Sequence, residues 1–246
     1  MDYRPRDNLL EGRIILVTGA GAGIGRAAAK TFAEHGATVV LLGRTIKKLE
    51  NVYDEIEQAG SPQPAIYPMN LEGASPKDYE DLANTLEKEF GRLDGLLHNA
   101  SLLGTLTPID QYDVNLWHQV MQVNLNAPFM LTQACLRSLR HSDSASIVFT
   151  SSGVGRKGRA YWGAYAVSKF ANEGLMQVLA DELDNTHIRV NSVNPGKTRT
   201  AMRAIAYPAE DPSTLKTPEE IMSVYLYLFG EDSKEINGQA FDAQPS

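Results

Sequence analysis

Short apolar runs alternate along the chain with longer stretches of helical periodicity. Arg13–Thr18, Ala37–Leu42, Ala65–Met69, Leu93–His98, Ser146–Thr150, Ile188–Val193 and a short Gln239–Asp242 read as strands. Gly25–His35, Ile46–Ala59, Lys77–Phe90, Leu116–Leu139, Tyr165–Leu183 and Glu219–Phe229 read as helices between them. The strand runs are rich in Val, Ile and Leu and do not alternate with polar residues, the pattern of strands buried on both faces. This β-α-β-α rhythm predicts an α/β fold, a doubly wound parallel sheet with helices on both faces and right-handed crossovers. No long linker, internal repeat or low-complexity tract interrupts it, so residues 1–246 read as a single domain. Thr198–Thr217 is the least regular stretch, with two prolines and mixed charges, and is expected to be a flexible loop.

Composition narrows the picture by exclusion. The net charge of -7 argues against binding nucleic acid through bulk charge. A single cysteine, Cys135, allows neither an intrachain disulfide nor a zinc cluster, and the five histidines show no metal-ligand spacing, so no metal is expected. Met1–Glu11 is polar and charged without the apolar core of a signal peptide. No apolar run approaches the ~18 residues of a membrane span. The expectation is a soluble cytoplasmic protein.

The first strand is followed by Thr18-Gly19-Ala20-Gly21-Ala22-Gly23-Ile24-Gly25, which opens the first helix. Glycines let backbone turn sharply and approach a ligand closely. A helix starting there aims free N–H groups and a positive dipole end at what lies above, a setting suited to a pyrophosphate. Gly23, Gly25 and Ala28 satisfy the G-x-G-x-x-A dinucleotide pattern, and its βαβ context raises its weight above that of a plain tight turn. At the end of the second strand, about 20 residues on, a site for NAD would place a carboxylate on the ribose. This chain has Leu42-Gly43-Arg44-Thr45 instead. The guanidinium of Arg44 suits the 2′-phosphate of NADP. NADP(H) is therefore expected in preference to NAD(H).

Tyr165 and Lys169 stand four apart, on one face of a helix. An ammonium about 4 Å from a phenol, at an effective dielectric of ~20, is worth ~4 kcal/mol toward the phenolate, enough to bring a tyrosine of pKa ~10 into acid–base range. Ser152 lies just past the C-terminal end of the fifth strand, the sheet edge at which ligands bind, where its hydroxyl would hold a carbonyl oxygen. Asn124 reads either as a solvent-facing helix residue or as an amide holding a water near the lysine.

These features in order resemble the short-chain dehydrogenase/reductase family, classical branch, over about Leu10–Asp242. The T-G-x-x-x-G-x-G turn corresponds to Thr18–Gly25, with Gly19 and Ile24 inside it. Asn99-Ala100-Ser101 stands for N-A-G, and Asn124–Phe129 for the N-x-x-x-P-F-like segment. Ser152, Tyr165 and Lys169 match the catalytic serine, tyrosine and lysine. Pro195-Gly196, with Thr198 and Thr200, matches the segment near the nicotinamide. The resemblance implies a Rossmann-type fold of about seven parallel strands and hydride transfer between nicotinamide and a small-molecule carbonyl or alcohol. It further implies that Tyr165 moves the proton, Ser152 polarises the oxygen, Lys169 lowers the tyrosine pKa and binds ribose, and Asn124 maintains a proton relay. A homodimer or homotetramer is implied, with Leu116–Leu139 and Tyr165–Leu183 at its interface. Three departures stand out: Ser101 replaces a glycine, Asn70 before Leu71 replaces an aspartate near the adenine, and the loop after Gly196 is short.

Tyr161 and Trp162 either line a substrate pocket or cover the helix start. Arg156, Lys157 and Arg159 read as solvated loop or, with Arg199 and Arg203, as a cation cluster for an anionic substrate. A non-catalytic dinucleotide-binding protein is the alternative function, and the complete Ser152, Tyr165 and Lys169 set argues against it.

Overall fold

A computed structural model describes residues 3–245; Met1, Asp2 and Ser246, the ends of the expected domain, lie outside the described residues. Seven strands form one sheet: β1 (Ile14–Thr18), β2 (Thr38–Gly43), β3 (Ala65–Pro68), β4 (Gly95–His98), β5 (Ala145–Thr150), β6 (Ile188–Asn194) and β7 (Ala240–Asp242). Their spatial order is β3-β2-β1-β4-β5-β6-β7 and every pairing is parallel. The chain winds outward from β1 to β3, then returns to place β4 on the other side of β1. The reversal between β1 and β4 is the topological switch point, where open α/β sheets bind ligands at their carboxyl edge.

The absence of polar alternation has a direct cause. Ile15 and Val17 enter one core while Leu16 between them enters the other. Val39 and Leu41 likewise oppose Val40 and Leu42, and Val148 opposes Ile147 and Phe149. Successive side chains point to opposite faces, and both faces are covered. The helices α1 (Gly23–Glu34), α2 (Ile46–Gln58) and α8 (Met222–Phe229) supply one core. The other core is supplied by α3 (Pro76–Phe90), α5 (Ala127–Arg140) and α6 (Gly163–Glu182). The start of α3 shows how local sequence fixes an end. The Asp78 carboxylate accepts from the N–H and the hydroxyl of Ser75, each at 2.7 Å, Pro76 opens the first turn, and Gly91 closes the helix at φ 75°.

Three sequence expectations are corrected. Leu116–Leu139 is not one helix but α4 (Val114–Met121), a π-helical turn over Gln122–Asn126, and α5. Pro128 explains the break: it has no N–H for the carbonyl of Asn124 four residues back, and its ring clashes there, so the helix widens. Thr198–Thr217, the stretch read as least regular, contains regular structure. It holds α7 (Ala201–Ala206), capped by the Thr200 hydroxyl accepting from Arg203 N–H, and Arg199 N–H bonds the Lys216 carbonyl at 2.8 Å. The first helix begins at Gly23 and the tyrosine helix at Gly163, each two residues earlier than expected. Among the described residues, no helix is long and apolar enough to cross a membrane, and no group of three His, Cys, Asp or Glu side chains is placed to hold a metal.

Candidate active site

The carboxyl edge of the sheet carries a groove made of two cavities, about 260 and 330 Å³, which share Gly19, Ala22, Ala100 and Ser101 in their walls. Each is near the lower limit of small-ligand sites, roughly 300–1,000 Å³. Joined, they make one elongated site.

The floor is pinned at the switch point. The buried Thr18 hydroxyl donates to the Leu97 carbonyl and accepts from the N–H groups of Asn99 and Ala100, at 3.2, 2.9 and 3.0 Å. One side chain thereby joins the ends of β1 and β4. Gly19 follows at φ 67°, and a Cβ there would stand 3.0 Å from Ala100 Cα. At Gly25 a Cβ would come within 2.3 Å of the Gly19 carbonyl oxygen, so only glycine lets α1 lie against the turn. Ala22, the residue before α1, has no side chain to cap it, and the first turn holds no acid. Ala22, Gly23 and Ile24 line the larger cavity, bringing the uncapped helix end to the groove.

Arg44, Asn70 and Leu71 lie along the smaller cavity with Lys48. Lys48 was not anticipated, although a signal existed. It stands in the first turn of α2, where a cation opposes the helix dipole and an acid would be the stabilising choice.

The larger cavity brings together Asn99, Ser152, Tyr165, Lys169, Pro195, Gly196, Thr198 and Thr200. Tyr165 is the third residue of α6, and Lys169 follows one turn on. Lys169 is buried; its ammonium donates to the Thr150 carbonyl at 2.8 Å and sits 5.6 Å from the Tyr165 ring centroid. Gly155 permits this, because a Cβ there would meet Lys169 Cβ at 2.8 Å. The expected depression of the tyrosine pKa is not found. Burial pushes Tyr165 up to about 12, with Ser152 drawing it partly back. Burial also brings Lys169 down to about 8 against the opposing pull of Glu173. Desolvation sets the direction of the tyrosine shift; the ammonium lies over the face of the ring and spends a hydrogen bond on the Thr150 carbonyl.

Thr18, Gly25 and Asn124 line neither cavity and act from behind the wall. Asn124 is buried in the π turn. Its oxygen accepts from Leu102 N–H at 2.7 Å, and its amide donates to the Leu102 carbonyl and the Ser168 hydroxyl. Its burial rules out the solvent-facing reading, and Asn124 ties the segment following β4 to the helix carrying Tyr165 and Lys169.

Trp162 lines the larger cavity, whereas Tyr161 is exposed with φ 74°. The basic run is also resolved. Arg156 donates to Asp242 and to the Phe241 carbonyl, both at 2.8 Å, and faces Glu173 at 3.5 Å, so it secures β7. Arg203 reaches the cavity but is held bidentately by Glu210. Leu103, Ser151 and Met202 complete the wall without having been singled out; loop residues distant in sequence carry no periodic signal. The Ser101 and Ser151 hydroxyls are buried with no partner within the protein, which suits a polar ligand in the groove.

A family model described as short chain dehydrogenase matches residues 13–211. The chain belongs to the short chain dehydrogenase family. Among the relatives, an uncharacterized oxidoreductase, YciK of Escherichia coli (strain K12), is 55% identical over 245 residues, covering 100% of this chain and 97% of the relative. A short chain dehydrogenase structure from Pseudomonas syringae is 61% identical with a TM-score of 0.98, over 99% of each chain. Another from Escherichia coli CFT073, complexed with NADPH, is 56% identical with a TM-score of 0.95, over 98% of this chain and 100% of that one. Family membership accounts for the seven-stranded sheet, its strand order and the glycine turn at the switch point together.

Proposed function

We propose that this short chain dehydrogenase transfers hydride between NADP(H) and a carbonyl or alcohol substrate, with Tyr165 as the proton donor and acceptor. The observation that carries this reading is the single groove in which an uncapped helix end at Gly23, the cation Arg44 and the Ser152–Tyr165–Lys169 cluster all meet. The N–H groups at the start of α1 suit the pyrophosphate, and Arg44 with Lys48 suits the 2′-phosphate. Asn70 and Leu71 would flank the adenine, and Asn99, Pro195, Gly196, Thr198 and Thr200 the nicotinamide end. When bound, the cofactor supplies or accepts the hydride. The relative complexed with NADPH supports the choice of cofactor.

The residues divide the remaining work. Ser152 donates a hydrogen bond to the substrate oxygen. Tyr165, whose proton burial holds more tightly, gives that proton to the oxygen as negative charge develops. The Lys169 ammonium then faces a tyrosinate, whose charge it stabilises, and its position suits the ribose hydroxyls. Asn124 keeps the helix and the groove wall in register through Ser168 and Leu102.

A second copy of the chain is the proposed macromolecular partner. Val167, Phe170 and Val178 form an exposed apolar stripe on α6, with exposed Phe129 on α5. A C2 dimer would bury both stripes against each other. Sedimentation at micromolar concentration is expected to show a dimer or tetramer, and a monomer would remove the interface. The test of the reaction is oxidation of NADPH across aldehydes, ketones and quinones, with NADH alongside. Turnover that prefers NADPH is expected; equal use of NADH would remove the role given to Arg44.

A further inference from the structure

The Tyr165 end of the groove has a different character from the rest. Leu103, Val154, Trp162, Met202 and Ala206 pack around Tyr165 as a small cluster separate from both main cores. Trp162 stands against Tyr165 with ring centroids 5.7 Å apart and against Tyr207 at 6.0 Å, which makes one wall aromatic. Among the described residues no carboxylate lines this cavity, and the charged side chains among them are Lys169 and Arg203.

Neither cation is open to a charged substrate. Lys169 is buried and bonded to the Thr150 carbonyl. Arg203 gives Nε and Nη2 to the two Glu210 oxygens, at 2.6 and 2.7 Å, and stacks 3.7 Å from the Tyr207 ring centroid. A substrate carboxylate arriving at Arg203 would stand beside Glu210, and like charges sharing a site repel. A substrate ammonium would find no anion among the described residues of the wall. Apolar and aromatic surface remains for the body of the substrate, and a flat ring packs well on an indole face.

We infer that the substrate is an uncharged carbonyl compound with a flat apolar body, cyclic or aromatic, which lies against Trp162 and Met202 while its oxygen reaches Ser152 and Tyr165. This rests on the hydride-transfer reading and names the substrate class for it. It also replaces the anionic substrate that the basic run suggested.

The test compares matched pairs with NADPH: acetophenone against 4-acetylbenzoate, and cyclohexanone against 4-oxocyclohexanecarboxylate. The neutral member of each pair is expected to have a kcat/KM at least tenfold higher; equal values, or preference for the acid, overturn the inference. Trp162→Ala should raise KM for the neutral ketones about tenfold with a smaller change in kcat, and Trp162→Phe should restore most of it. Glu210→Gln frees the Arg203 charge and should move the ratio of acid to neutral turnover at least fivefold toward the acid; an unmoved ratio contradicts the masking of Arg203. Binding is read separately in a Trp117→Phe protein, by quenching of Trp162 fluorescence with 1-phenylethanol and 4-(1-hydroxyethyl)benzoate in the presence of NADP. Tighter quenching by the neutral alcohol supports the substrate class, and tighter quenching by the acid overturns it. The absence of turnover on every carbonyl would count against the hydride-transfer reading, while the order of quenching would still decide the class.

Discussion

At one end of the groove the shape is set by backbone, and at the other by side chains. Around Gly19 and Gly25 the turn, the start of α1 and the start of the segment after β4 lie so close that a single added methyl group would be crowded at Gly19 and would clash at Gly25. Around Tyr165 the wall is Leu103, Trp162 and Met202, carried on three separate segments. The first construction leaves no room for substitution and suits an invariant ligand. The second can change one side chain at a time without disturbing the sheet, so ligand choice can vary there while the fold stays fixed.

The sharpest way to break this contrast is Gly25→Ala. Its Cβ would lie 2.3 Å from a carbonyl oxygen of the backbone, which cannot rotate away. NADPH binding is expected to weaken more than a hundredfold, read by titration, with a fall in thermal stability. Near-normal binding would mean that α1 shifts freely, and the backbone-built end would not be rigid.

Arg44→Ala acts on a side chain at that same end and should do less. Losing a charge-assisted bond of about 1.5–3 kcal/mol weakens NADPH binding roughly ten- to a hundredfold. NADH binding should stay within about twofold. Equal losses for both would place Arg44 in structure instead of phosphate recognition.

Lys169 separates the two kinds of construction by pH. Its pKa falls from 10.5 to about 8 on burial, so the native state holds the proton less tightly than the unfolded chain does. The unfolded chain binds more protons between these values, and stability therefore rises with pH from about 8 toward 10.5. Below about 8 the full cost of burying the ammonium is present. Tyr165 works oppositely, because its raised pKa costs stability only above 10. Denaturant unfolding of Lys169→Met should accordingly exceed wild type in stability at pH 7.5, by a margin that shrinks at pH 9.5. A margin independent of pH would contradict the burial of this charge. The smallest effect is expected far from the groove: Ser75→Ala removes a capping box and should cost about 1 kcal/mol without altering NADPH binding.

The strands and the glycine turn were legible in the sequence because their determinants are local. An uninterrupted apolar run such as Ile14–Thr18 needs two covered faces, and a glycine-rich turn opening a helix needs something close above it. The residues that disagreed with the sequence reading depend on distant partners. Arg156 meets Asp242, 86 positions away, and no pattern around Arg156 announces β7. The Tyr165 pKa follows from the side chains that bury it, whereas the spacing to Lys169 shows only the opposing charge. The π turn stands between these cases. Pro128 was visible, but the apolar period on both sides concealed the break that its missing N–H imposes on Asn124.

The central claim is that Tyr165 moves the proton in a groove whose other parts only bind and position. Tyr165→Phe keeps the ring and removes the hydroxyl, so it is the most direct measurement, made as paired NADPH titration and NADPH-dependent carbonyl reduction. The account predicts NADPH affinity within about threefold of wild type and kcat reduced by roughly 10²–10⁴. Unchanged turnover in a protein that still binds NADPH would contradict it.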